Sequence, residues 1–459
     1  MPSMTIGKYC AQAKARTVAI DCDRRRWRAA IRSVAVLLVS LALTPFFAPG
    51  AARADESRYW QFYTPPEPLP AGALGDLIRT EPSRLALEPS GQLGSYVGTG
   101  TRIMYRSTDN NGKPVAATGT YIEPDNPWPG DGPRPLLVYA PLPNGMGEQC
   151  AASRLINQGI HASGDTGFDL MVNLDSMFLT TLLARGYSIV IPDGIGSGVH
   201  GRMAPQLLMR IASATAVIDA ARAAKKLPGT SLTPDGPVAF WGWFSGGSAA
   251  LAAAELASTY GPELKIAGTV AMEPVTDMAS VASSADGSFL VGAMGWLLNA
   301  IVATYPEFDQ PLREMLTPRG LEMFENTAGQ CMLQTGTDYA FRHVQPWFKN
   351  DILQAVRQEP FKSLSDAQRI GNHKPTGPVY IEHNRWDPVG PYADAMATAK
   401  DWCAMGADVT FWTNELPPLF NKLGTNLFLA PLVDGERNMA WLADRFNGVP
   451  TSSNCSELP

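Results

Sequence analysis

The stretch Trp241-Gly-Trp-Phe-Ser-Gly-Gly-Ser248 decides how the rest of the chain reads. It follows the apolar run 238–241 and precedes an alanine-rich helical stretch over 248–257, so it is a strand-to-helix junction. When the turn at such a junction is sharp, tiny residues are needed two before and two after its apex, and the apex side chain is the one presented for chemistry. Only one register places glycine at both flanks, Gly242 and Gly246, and its apex is Phe244, which offers no nucleophile. Sliding by one makes Ser245 the apex, with Gly247 behind it but bulky Trp243 in front. Sliding on to Ser248 gives Gly246 and Ala250, but that position falls inside the helix.

Outward from this junction, short apolar runs at 135–139, 187–191, 238–241, 266–271, 379–381 and 409–412 alternate with helical stretches such as 205–227. Continuous apolar strands between helices predict an α/β protein with a doubly wound, mostly parallel sheet covered on both faces. Upstream, Asn111-Gly112 between the runs 101–106 and 115–121 predicts a hairpin. Between the runs at 266–271 and 379–381 no strand pattern shows, while 289–302 is apolar and 311–331 is helix-like. We therefore expect a helical cap insertion over 275–372, dividing the core into an N-terminal part, 55–274, and a C-terminal part, 373–459.

The 459 residues are 45% apolar and 17% charged, which excludes intrinsic disorder. Residues 1–54 hold nine Lys/Arg and two Asp/Glu, leaving 28 basic against 41 acidic residues downstream, a balance of −13 that argues against a nucleic-acid partner. The same head has the parts of an export signal: Arg24, Arg25, Arg26 and Arg28, an apolar run at 34–43, and Ala52-Arg53-Ala54 before the expected cleavage. That run is too short to span a bilayer, and no later stretch is long and apolar enough, so no stable membrane insertion is expected. Cys150, Cys331, Cys403 and Cys455 remain after the signal. Four cysteines in an exported chain suggest two disulfides, with three pairings open, and no metal or cofactor is implied by their spacing.

Several segments resemble the bacterial secretory lipases, an α/β-hydrolase family that also includes the yeast lipase A type. They are Asp76-Leu-Ile-Arg-Thr-Glu-Pro-Ser83, Thr101-Arg-Ile-Met-Tyr-Arg-Ser-Thr108, the surroundings of Gln149-Cys150, Ala220-Ala-Arg-Ala-Ala224, the elbow glycines, Asn384-Arg-Trp-Asp387, and Asp434-Gly-Glu-Arg437 through Trp441-Leu-Ala-Asp-Arg-Phe446. The resemblance covers roughly residues 65 to 455 and implies a secreted lipase or carboxylesterase acting on an ester or lipid, without cofactor, as a monomer.

Residue by residue, it also implies that the chemistry is incomplete. The family's Gly-Tyr-Ser-Gln-Gly-Gly elbow puts Phe244 at the serine and Ser245 at the glutamine, in agreement with the glycine register. Asp387 stands at the acid, and Leu427 at the histidine. Independently, this fold orders its triad Ser, acid, His along the chain. None of His161, His200, His343, His373 and His383 follows Asp387. His383, on the acid's own strand, and His200 are the remaining candidate bases for Ser245. Glu148 replaces the aspartate of the oxyanion region, to which Ser245 would add its own amide, and Asp193-Gly-Ile-Gly-Ser-Gly-Val-His-Gly201 is shorter than the family's loop and lacks its tyrosines. The resemblance favours Cys150 with Cys331 and Cys403 with Cys455. Two readings follow: an ester hydrolase working through Ser245, or a silent homologue that binds a lipid or other apolar ligand. An unpaired Asp387 buried beside Leu427 is expected to have a raised pKa.

Overall fold

The computed structural model describes residues 60–87, 95, 97–163, 169–201 and 203–459, so the expected export signal lies outside the described residues. Eleven strands are found: β1 (Leu77–Ser83), β2 (Gly98–Thr108), β3 (Pro114–Pro124), β4 (Leu136–Ala140), β5 (Ile160–Ser163), β6 (Asp169–Val172), β7 (Ser188–Pro192), β8 (Pro237–Trp243), β9 (Lys265–Met272), β10 (Val379–Asn384) and β11 (Val409–Asn414). Nine of them form one sheet in the order β1-β2-β3-β7-β4-β8-β9-β10-β11, and β5 and β6 pair separately. Strands β7 through β11 along that order are parallel, whereas β1, β2 and β3 meet their neighbours antiparallel. The Asn111-Gly112 turn joins β2 to β3 with Gly112 at φ 77°.

The apolar runs are continuous because helices cover both faces. On β8, Trp241 meets Phe178 of helix Ser176–Ala184 at 6.2 Å between ring centroids. The next residue, Gly242, lies against the helix Ser245–Tyr260. Successive strand residues point to opposite faces, so the two helices flank the sheet from opposite sides. Helix Arg210–Lys226 lies beside the second, and helix Gly435–Phe446 lies on the first side, with Gly435 near Phe178. The core strands β4, β7 and β10 are buried along their whole length.

From β9 to β10 the chain is helical. The helix-like stretch 311–331 is not one helix but parts of two, Asp309–Met315 and Pro318–Thr327. Proline at the first helical position starts a new helix, and Thr317 caps it by accepting the Gly320 amide at 3.2 Å. Disulfides join Cys150 to Cys331 and Cys403 to Cys455, with Cα separations of 5.5 and 5.6 Å. The first ties the loop after β4 to the helical segment, and the second ties helix Tyr392–Ala404 to the tail beside β11. Closing loops of 181 and 52 residues restricts the unfolded chain by roughly 4–5 kcal/mol each in the chain-entropy account. All these elements belong to the compact unit Gln61–Pro459. Among the described residues no helix is long and apolar enough to cross a membrane.

A Cβ on Gly242 would stand 2.0 Å from the Gly246 carbonyl oxygen. Gly242→Ala is therefore expected to destabilise the protein by about 3 kcal/mol or more in urea unfolding, while Gly329→Ala, whose Cβ meets nothing within 4 Å, changes stability by less than about 0.5 kcal/mol. Equal effects of the two would contradict this packing.

Candidate active site

At the end of β8 the backbone reverses sharply, and the residue in the turn is Phe244, at φ 56° and ψ −118°. A non-glycine residue held there costs on the order of 1–3 kcal/mol and persists only because its surroundings enforce it. They do so here: the Phe244 amide donates to Met272 O at 2.8 Å, and the Ser248 amide donates to Phe244 O at 2.9 Å. A Cβ on Gly246 would lie 2.2 Å from Ala140 O, so both flanking glycines are sterically required. The elbow is thus built in the glycine register with a phenylalanine at its apex. Ser245 is the first helical residue, and Ser248 donates its hydroxyl to Val275 O at 2.7 Å while accepting the Val275 amide at 3.0 Å, a structural role.

Ser245 lines a cavity of about 90 Å³ at the carboxyl ends of β4, β7 and β8, where the strand order reverses. Crevices at such reversals are where doubly wound sheets hold ligands. The wall is mostly apolar, including Leu142, Ile195, Leu208 and Val217, with Asn144, Gln206 and Ser213 as polar points. No histidine, lysine or arginine is among its described lining residues.

Leu427 lies in helix Thr425–Val433 and is fully buried. Its carbonyl accepts the Trp243 indole N–H at 3.1 Å, and Phe428 meets the Trp243 ring edge-on at 5.8 Å. The helix therefore seats Leu427 against the end of the elbow strand, and Phe244 and Leu427 both belong to the apolar core.

The loop after β10 carries Asp387. Its Oδ1 accepts the amides of Val389 at 2.7 Å and Gly390 at 3.1 Å, while its buried Oδ2 receives no amide or hydroxyl donor. Burial pushes its pKa up to about 7, and the neighbour of its carboxyl is Glu273. Glu273, at the end of β9 with φ 48°, is fully buried and accepts the Asn384 amide at 2.9 and 3.0 Å. Burial and then the Glu382 and Asp387 charges hold its proton far above the usual carboxylate range. The two buried carboxyls act on one another: the Asp387 charge adds to the rise at Glu273, and Glu273 offsets part of the rise at Asp387. His383 is also buried, its Nδ1 3.1 Å from both Glu273 Oε2 and Asn384 O, and burial lowers its pKa to about 4. Near neutrality it is an uncharged ring whose Nε2 has no partner. The three groups each bring an atom within 4.8 Å of the others, a trio of metal-ligating type that the sequence spacing did not show.

Glu148 points elsewhere: it meets His200 Nδ1 at 2.7 Å and accepts the Gly201 amide at 2.7 Å, so both carboxylate oxygens are turned toward the loop after β7. His343 pairs with Asp286 at 2.9 Å, and His373 is exposed.

Elbow, sheet and helices define the protein as an α/β-hydrolase. It superimposes on lipase A of Candida antarctica in its closed state with a TM-score of 0.72 at 19% identity, covering 86% of this chain and 87% of that one. On the ligand-bound esterase LipA of Xanthomonas oryzae the TM-score is 0.65 at 17% identity, covering 82% and 98%. The secretory lipase model matches residues 165–454, and the chain belongs to that family. It is 26% identical over 394 residues to a probable inactive lipase of Mycobacterium tuberculosis, covering 86% of this chain and 83% of that protein. It is 27% identical over 439 residues to a secreted triacylglycerol lipase of Malassezia globosa, covering 91% and 88%.

The buried acid pair makes a signed prediction. The carboxyl of Asp387 binds its proton more tightly folded than unfolded, so its contribution is complete below about pH 4 and is lost as pH rises through about 7. His383 acts oppositely between about 4 and 6.5 and is common to both proteins compared. Asp387→Asn keeps the Oδ1 contacts and removes the ionisation. Its melting temperature relative to the parent is expected to be higher at pH 8 than at pH 4.5, by roughly 2–4 °C. A pH-independent difference would contradict the raised pKa of Asp387.

Proposed function

We propose that this secretory lipase family protein is a non-hydrolysing member that holds the apolar end of a lipid or short-chain acid in the cavity beside Ser245. The observation that carries the reading is Phe244 at the strained apex of the elbow. Acyl transfer needs an activated oxygen at that point and a base to take its proton, and the chain supplies benzyl and isobutyl groups at the two positions. Glu148, engaged with His200 and Gly201, is withdrawn from oxyanion stabilisation, leaving the Ser245 amide as the donor at the elbow. On this reading Asp387 is a structural residue that holds its loop through the Val389 and Gly390 amides. The helical segment 275–372, tied to the cavity-lining Cys150 through the disulfide from Cys331, serves on this reading as its cap. The similarity to a probable inactive lipase of Mycobacterium tuberculosis supports this reading. The basic and apolar head, the two disulfides and the secreted relatives support export with cleavage near Ala54.

The competing reading, hydrolysis through Ser245, is favoured by one observation: Ser245 is among the residues that line the cavity. Purified protein incubated with short and long p-nitrophenyl esters is expected to show no turnover above the Ser245→Ala variant, and to bind a short-chain fatty acid in calorimetry. Turnover in the parent that disappears in Ser245→Ala would establish the competing reading instead.

A further inference from the structure

The pairing of β9 with β10 assembles a group of side chains that the chemistry at the elbow does not use. Met272 stands beside Glu382 in that pairing, and the Glu273 amide donates to Glu382 O at 2.9 Å, which sets Glu273 next to His383. Glu273 and His383 are both 0% exposed, with His383 Nδ1 3.1 Å from Glu273 Oε2. The loop after β10 then turns Asp387 back onto this pair. Each of the three brings one atom of ligand type within 4.8 Å of the other two.

The polar groups here are not satisfied by the protein alone. Amides of Val389 and Gly390 occupy Asp387 Oδ1, but its buried Oδ2 receives no amide or hydroxyl donor, and the buried His383 Nε2 has no partner. Glu382, also fully buried, adds its charge to that of Asp387 in acting on Glu273. Among the described residues no lysine or arginine pairs with any of these three carboxyls. Buried charge of this kind is matched by protons or by a coordinated cation. A proton satisfies a carboxyl but gives an imidazole no part, whereas a cation uses all three side chains.

We infer that Glu273, His383 and Asp387 form a structural binding site for a divalent cation of the zinc type. Two ionised carboxylates and a neutral imidazole balance a dication, and imidazole with carboxylate is a zinc donor set; calcium and magnesium take mostly oxygen. Tetrahedral bonds of about 2.1 Å set ligand atoms about 3.4 Å apart, so movements of about 1.4 Å at most close the trio. The Asn384 and Pro274 carbonyls act on the imidazole, and a ligating histidine needs such an acceptor for the proton on its other nitrogen. Asp387 keeps some exposure and follows the exposed Arg385, so the ion enters from that loop. Bound there, it ties the end of β9 to β10 and to the Asp387 loop. In chelator-treated protein the trio is held by protons, and there the pH dependence of Asp387→Asn applies; the cation displaces those protons. None of the three lines the cavity beside Ser245, so the site stands whether or not that cavity turns over an ester.

The test is the metal content of the full protein, stripped with chelator, dialysed against zinc sulfate and measured by plasma mass spectrometry. About one tightly held zinc per chain is expected, with a melting temperature that rises with zinc concentration. X-ray absorption at the zinc edge is expected to show nitrogen and oxygen neighbours including one imidazole, a readout that needs no variant. Asp387→Asn keeps the Oδ1 contacts and is expected to weaken zinc binding roughly tenfold or more, with unchanged circular dichroism. A parent that binds no zinc, or whose zinc has no imidazole neighbour, overturns the inference. So does zinc held equally by Asp387→Asn, which assigns it to exposed pairs such as His200 with Glu148 or His343 with Asp286. Ester turnover is read on chelator-treated protein, so failure here and failure of the silent-elbow reading are separately visible.

Discussion

The close approach of two backbones at the elbow governs this structure. Gly242 lies so near the Gly246 carbonyl, and Gly246 so near Ala140, that β8, the helix after it and the loop after β4 have one way to meet. That contact fixes the register of the turn, and the register fixes which side chain stands at its apex. On the proposed reading, the strain at Phe244 is what remains of an acyl-transfer site without its chemistry: the turn is enforced from Met272 and Ser248 although its apex carries no nucleophile.

On the proposed reading, the acid side shows how such a site settles without its base. A carboxyl that burial strips of water, with no cation beside it, needs a proton. Burial holds the proton on, Glu273 stands beside it as a second buried carboxyl, and the Val389 and Gly390 amides hold Oδ1. On the other side, Glu148 has found partners in His200 and Gly201. On that reading the arrangement is consistent across positions: Phe244 and Leu427 are apolar, and the polar groups around them have turned to one another.

Much of this was legible before any coordinates. Continuous apolar runs gave the parallel sheet because helices cover both its faces, and the glycine pair gave the apex because a Cβ fits at neither position. Boundaries shifted where local rules compete. The helical stretch expected from 205 begins at Arg210, since Leu208 takes a positive φ, and Pro318 divides a segment that periodicity alone joins. Glu273 was not legible as a partner of Asp387, because the two meet only when β9 and β10 pair; the one local signal was a charged residue directly after a buried apolar run, Val270-Ala-Met272.

The central claim is that the apex of this elbow carries no reactive oxygen and that Ser245 is not its substitute. It is tested most directly by treating the folded protein with a fluorophosphonate, which esterifies an activated serine, and mapping any adduct by peptide mass spectrometry. The account predicts an unmodified parent, and phosphonylation at position 244 once Phe244→Ser and Leu427→His are combined. An adduct on Ser245 in the parent would contradict it.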